Sequence, residues 1–170
     1  RSYSADTYVL SSKMQIASLD ELKTAGVKSP LGGKLLIEDF KGDWQKEWFT
    51  YRPESWGMRT HKVYSDQWKA PKGARLALEV KSANAGKIVI GIDDYAAEVE
   101  LAGEGNWSQI SLPPGSFLDA VSGPLENWEG IKELRFVAKE TLRKRINGEQ
   151  KTRVVGSDLE GAAPELRNLR

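Results

Sequence analysis

Trp44, Trp48, Trp56 and Trp68 crowd one segment of the chain, interleaved with Tyr51, Arg52, Arg59 and Tyr64. Indole and phenol faces stack on the apolar C–H faces of sugars. Arginine and carboxylate side chains beside them hydrogen-bond the hydroxyls, arginine through donors held in a fixed fork. Asp43, Trp44, Trp48, Tyr51, Arg52, Glu54, Trp56 and Arg59 supply that mixture. Trp44 and Trp56 stand near Gly42 and Gly57 in polar, turn-like surroundings, and are the rings expected to reach a ligand. Trp48, Trp68 and Trp107 lie in strand-like segments and read as interior, while Trp128 reads either way.

Other residues open other chemistries. Asp93-Asp94-Tyr95 follows an apolar segment and presents two carboxylates and a phenol at one edge. That set suits sugar hydroxyls or a hard cation such as calcium, and it equally suits a polar hairpin tip. Glu38 and Asp39 are adjacent, so on a strand they point to opposite faces and cannot act as one acid pair. Glycoside hydrolysis needs two carboxyls flanking one bond, which the sequence does not locate. His61 is the only histidine, and no G-x-S-x-G elbow accompanies it to build a hydrolase triad. With no cysteine, disulfides and thiolate metal sites are excluded, as is a zinc centre of the usual histidine and cysteine ligands. His61 therefore reads as an ordinary polar strand residue. Residues 139–153 are locally basic, which fits an anionic polysaccharide, nucleic acid, or a solvated hairpin whose charge guards its edges. Asn106-Trp107-Ser108 matches a glycosylation acceptor and reads as a turn entering a strand.

The chain of 170 residues carries 25 basic and 24 acidic side chains, a net charge of +1. The length fits one domain with a substantial core. Near-cancellation of charge argues against a general nucleic-acid binder, and no apolar run approaches the roughly 20 residues of a membrane span. The chain starts at Arg1 rather than methionine. It is expected to be covalently linked to other domains of a longer protein, with any signal peptide outside it.

These residues must be positioned by short strands. Residues 7–17 alternate like a strand. Ser18, Glu21 and Gly26 predict a short helix over 18–26, with a capping box at one end and a left-handed stop at the other. Strands are then expected at 35–40, 46–52, 62–68, 74–81, 87–93, 96–101, 107–112 and 131–138. Asn147-Gly148 marks a hairpin tip, and Val154-Val155 and residues 165–169 are closing strands. Many short strands separated by turns at about ten-residue intervals indicate an all-β sandwich or jelly roll, with one short N-terminal helix. The expected division is an extension over 1–34 packed on a sandwich over 35–170.

In that order the chain resembles the galactose-binding-like β-sandwich carbohydrate-binding modules of bacterial polysaccharide-degrading proteins. The similar pieces are Leu36-Ile37-Glu38-Asp39-Phe40, Val89-Ile90-Gly91-Ile92-Asp93, and Trp107-Ser108-Gln109-Ile110-Ser111-Leu112-Pro113 with Phe117 beyond. Ile131-Lys132-Glu133-Leu134-Arg135-Phe136 and the closing Glu165-Leu166-Arg167-Asn168-Leu169-Arg170 complete them. The resemblance implies a jelly roll, a noncatalytic role with no cofactor required, and a structural calcium as an optional feature, with Asp39 the first position to inspect. It implies a ligand on a sheet face or edge loops, and an extracellular, cell-surface or periplasmic setting.

The resulting expectation is a carbohydrate-binding domain for a polysaccharide or oligosaccharide. Its proposed binders are Trp44, Tyr51, Arg52, Trp56, Arg59, Asp94 and Tyr95, with neither nucleic acid nor membrane insertion involved. Two alternatives stand beside it. One is a small β-sandwich polysaccharide lyase or glycosidase using tyrosine and arginine or a carboxylate pair. The other is a structural or protein-interaction domain without glycan affinity.

Overall fold

The computed structural model describes residues 35–68 and 70–170. The strand and helix expected within residues 1–34 lie outside the described residues. Within them the chain is all-β: ten strands, short 3-10 turns and no α-helix. A five-stranded sheet is formed by β1 (Phe49–Arg52), β2 (Gly57–Thr60), β7 (Leu134–Val137), β4 (Gly86–Ile92) and β5 (Tyr95–Leu101), in that order. A three-stranded sheet runs β10 (Glu165–Arg167), β3 (Leu76–Lys81), β6 (Trp107–Leu112), and β8 (Lys139–Ile146) pairs with β9 (Glu149–Gly156) as a hairpin. Every pairing is antiparallel.

Alternation decides which side chains meet. Leu76, Leu78 and Val80 of β3 join Ile88, Ile90 and Ile92 of β4, with Leu134 and Phe136 of β7, in one core between the larger two sheets. Ile90 sits opposite Phe136 and Ile92 opposite Leu134, so neighbouring strands present the same apolar face. The other face of β4 is covered as well, which explains its nearly continuous apolar run. Val89 joins Val137, Ala96, Ala120, Leu142 and Val155 in a second, smaller core. Leu142 and Val155 come from the hairpin, so β8 and β9 roof part of the outer face of the five-stranded sheet. Asp119 ties that roof down: its carboxylate accepts from Lys144 Nζ at 2.6 Å, and its carbonyl accepts from Arg153 Nε at 3.0 Å.

The strands expected at 74–81, 87–93, 96–101, 107–112 and 131–138 form with small shifts of boundary, and Asn147-Gly148 is the hairpin tip. Three expectations change. Residues 62–68 make two 3-10 turns instead of a strand, so His61 is not a strand residue but precedes the first turn. Residues 44–47 likewise form a 3-10 turn before β1, and 35–40 contributes a single bridge, Glu38 to Leu169. The strand missed in the sequence is β2, where Arg59 interrupts the apolar pattern.

Trp107 is also corrected. It shares the parity of Gln109 and Ser111, out of phase with Ile110 and Leu112, so it lies on the outer face of the three-stranded sheet. Arg167 stacks over its ring at 4.0 Å from the centroid, and Lys81 Nζ lies 5.2 Å away. Trp48 is in the main core, as expected, and its Nε1 donates to the buried Glu38 at 3.0 Å.

Candidate functional site

The densest polar constellation forms on the outer face of the five-stranded sheet, where β7 turns Arg135 away from the main core. Arg135 is nevertheless only 8% exposed. Its neighbour on β4 is Gly91, where a Cβ would overlap the guanidinium; glycine is the residue that leaves room. Arg135 donates through Nε and Nη2 to the two oxygens of Glu140, at 3.2 and 2.9 Å, a bidentate fork. Nη1 reaches Glu133 Oε1 at 2.9 Å and the Asp93 carbonyl at 2.6 Å. Glu140 is itself buried and also accepts from the Tyr51 hydroxyl at 3.0 Å.

A more exposed shelf adjoins this buried centre. Arg59 on β2 pairs across the ladder with Arg135 on one side and Phe49 on the other. Its guanidinium lies 5.5 Å from the centroid of the Tyr51 ring, and Nη1 donates to Glu133 Oε2 at 3.3 Å. His61 Nε2 stands 3.3 Å from the same carboxylate oxygen, and its ring lies 6.2 Å from that of Phe49. Phe49 is 56% exposed on this outer face. Arg59 is the charge in β2 because its side chain belongs to this outer face, while Met58 packs against the main core.

Burial and hydrogen bonding hold the groups of this centre in their ordinary charge forms. Burial first, and then the Glu140 carboxylate, push the Tyr51 phenol well above its ordinary value, so it remains a donor. Burial opposes the Arg135 cation, but Glu140 and Glu133 outweigh it and hold its pKa above the usual arginine value. A tyrosine so strongly protonated is a poor general base.

The structure brings together only part of the predicted set. Tyr51 and Arg59 meet on the shelf, and Arg52 lies near its end, 3.7 Å from Glu54. Trp44 and Trp56 are half-buried and packed against the main core: Trp44 meets Phe40 and Trp48 edge-on, and Trp56 lies 6.5 Å from Phe136. Asp94 is exposed in the β4–β5 turn, and Tyr95 packs against the main core while its carbonyl accepts from Arg135 Nη2 at 3.4 Å. Asp93 braces that turn, its carboxylate accepting from the amides of Lys132 and Glu133 at 3.0 Å each.

Phe49, His61, Glu133, Arg135 and Glu140 were not among the sequence candidates. One signal was available: a single arginine in the apolar run of β7, and a single glycine in that of β4. The Asp39 carboxylate accepts from the amide of Lys41 at 2.9 Å in a local turn. The neighbouring Glu38 is occupied by Trp48 and by Lys62 Nζ at 3.2 Å. Among the described residues no three acidic or histidine side chains group as a metal cage requires.

Elsewhere, an apolar cavity of about 660 Å³ opens beside Leu35, lined by Ile37, Val63, Trp68, Trp128 and Leu134. Trp128 is fixed there by its Nε1, which donates to the Ala74 carbonyl at 2.8 Å. Among the described residues no helix is long and apolar enough to cross a membrane.

Compared with protein-family models, curated proteins and solved structures, the chain finds no match.

Proposed function

We propose that this is a noncatalytic carbohydrate-binding domain, and that its site is the shelf of Phe49, Tyr51, Arg59 and His61. The observation that carries this reading is the 56% exposed Phe49 ring beside an arginine clamped over Tyr51. An exposed ring offers a stacking face, and the adjacent guanidinium offers donors for hydroxyls. Arg59 Nε is buried without a hydrogen-bond partner, so the guanidinium is not fully satisfied within the protein. The buried Arg135–Glu140–Tyr51 support holds the shelf in advance, which lowers the ordering cost on binding. On this reading the sheets form a galactose-binding-like jelly roll, and the domain holds a larger extracellular or surface protein near its polysaccharide.

The lyase or glycosidase alternative needs a proton acceptor at the site, and the upward-shifted Tyr51 phenol works against the tyrosine version. The test is affinity electrophoresis through gels carrying a panel of plant, algal and bacterial polysaccharides. Retention by one glycan, lost in Phe49→Ala and Arg59→Ala but kept in Trp44→Ala, is the expected result. Retention by no glycan would overturn the reading. So would retention that Phe49→Ala and Arg59→Ala leave untouched.

A further inference from the structure

We infer that the glycan is acidic, and that the outward face of the β8–β9 hairpin continues the shelf as a strip for its carboxylates or sulfates. This deepens the reading of the shelf as a glycan site and rests on it.

The hairpin carries Lys139, Arg143, Lys144, Arg145, Lys151 and Arg153 against only Glu140 and Glu149. Alternation sorts these charges. Glu140, Leu142 and Lys144 face the sheet with Arg153 and Val155, and the cations on that side are committed. Lys144 binds Asp119, Arg153 holds the Leu118 and Asp119 carbonyls, and Lys151 lies 3.1 Å from Glu149. Lys139, Thr141, Arg143 and Arg145 face outward beside Gln150, Thr152 and Val154. Lys139, Arg143 and Arg145 have no carboxylate partner among the described residues; Arg143 donates only to the Thr141 carbonyl at 3.5 Å and Arg145 to the Gly148 carbonyl at 2.8 Å, each through one nitrogen, and this face of the hairpin holds no acid. Its other side chains are two hydroxyls, one amide and the exposed Val154.

Position links the strip to the shelf. The amide of Ala138 donates to the Ser55 carbonyl at 2.8 Å, which fixes the start of β8 beside the residues that follow β1. One residue into β8, Glu140 accepts from Tyr51. From Lys139 to Arg145 the strand spans about 20 Å, a length suited to a linear polymer rather than a single sugar. A surface needed only for solubility mixes signs, whereas a run of one sign raises the local concentration of an oppositely charged ligand. The hairpin itself offers no ring for bases to stack on, and a nucleic acid as the true ligand would be retained ahead of the acidic glycans in the test below.

The experiment uses the same retention assay with an acidic panel of polygalacturonate, alginate, hyaluronate and dextran sulfate. Methyl-esterified pectin, dextran and a single-stranded oligonucleotide are the comparators. The variants are Lys139→Gln/Arg143→Gln/Arg145→Gln and the corresponding triple change to Glu. Expected are retention by at least one acidic polymer above its uncharged counterpart, and a fall of about tenfold between roughly 50 and 200 mM salt. The Gln triple should lose most of that retention and the Glu triple all of it, both folding normally by circular dichroism. Three outcomes would overturn the inference: equal retention of pectin and polygalacturonate with no other acidic preference, triples that bind as wild type, or preference for the oligonucleotide. If a neutral glycan is retained through Phe49 and Arg59 while the triples change nothing, the inference fails and the shelf stands. If acidic retention depends on the hairpin alone, with Phe49→Ala and Arg59→Ala silent, the shelf reading fails instead.

Discussion

The outer faces of the two large sheets are built from the same residue types and behave differently. On the five-stranded sheet Arg59 lies over Tyr51 and is held by Glu133; on the three-stranded sheet Arg167 lies over Trp107 and is held by Glu79 at 2.6 Å. The second clamp is closed. Its ring is covered at 4.0 Å by one cation and approached by another, and Glu79 also accepts from Asn168. The first is open, because the ring beside it, Phe49, has no cation over it among the described contacts. An aromatic, an arginine and a glutamate can therefore make either a closed stack or one that leaves a ring face exposed. What separates them is whether a ring face is left over once the charges have paired.

The strongest way to break this comparison is to remove the support beneath the open face. Arg135→Met leaves Glu140 buried without its counter-ion, and should cost about 3–5 kcal/mol in urea or thermal unfolding. Adding Glu140→Leu should recover a good part of that loss, since a paired charge and a packed apolar pair are closer in energy than an orphan charge. A loss below about 1 kcal/mol for the single variant would show that the centre is solvated and that the two faces differ less than their geometry implies.

The roof distinguishes the faces further, since among the described residues only the five-stranded sheet has one. Burial pushes the Asp119 carboxyl up, but the Lys144 ammonium and the amides of Gly123 and Val121 outweigh it and hold it below its usual value. Glu79 on the other face is also lowered, chiefly by its hydrogen bond from Arg167. A depressed folded-state pKa contributes stability that is present above the unfolded value and lost as pH falls through the folded one. Unfolding followed from neutral pH to well below about pH 4 should show that loss, which sets in near the unfolded carboxylate values and is complete only below the folded ones. Asp119→Asn should be less stable at neutral pH by about 1–3 kcal/mol and lose less on acidification. An unchanged pH profile in that variant would remove Asp119 as the anchor of the roof.

On the closed face, Arg167→Ala should cost about 1 kcal/mol, through the lost charge-assisted hydrogen bond and the stacking on Trp107. Its glycan retention should match wild type. Reduced retention without loss of stability would move the binding face to the three-stranded sheet.

These contrasts show where the sequence was informative. The clean alternation of Leu76-Ala77-Leu78-Glu79-Val80 and the continuous apolar run Ile88 to Ile92 could both be read directly, because burial of one face imposes the first pattern and burial of both faces the second. The two-residue tip Asn147-Gly148 was equally plain, asparagine and glycine both taking positive φ there. Residues 62–68 were misread because Val63, Tyr64 and Trp68 mimic a strand, while two 3-10 turns place Val63 in the core and leave Tyr64 exposed. The open site was only half legible. Tyr51 and Arg59 stood out by type, but Glu133, Arg135 and Glu140 are close to them only through strand pairings remote in sequence. Trp44 and Trp56 drew attention because glycine and polar neighbours look like a surface loop. In the fold, a positive φ at Trp56 turns its ring toward Phe136.

The smallest stability effect is the most discriminating one. Phe49→Ala removes a ring that is more than half exposed, so unfolding should shift by no more than about 0.5 kcal/mol. If that ring is a stacking platform, retention on the glycan should still fall by about tenfold, equivalent to roughly 1.4 kcal/mol of binding. Trp107→Ala should do the reverse, lowering stability and sparing retention, because its ring is already covered by Arg167. The two substitutions thus cross: each aromatic matters to the property for which the other is dispensable. A Phe49→Ala protein that is both as stable and as well retained as wild type would make the exposed ring incidental. The open clamp would then be no more than a second rivet with one side uncovered.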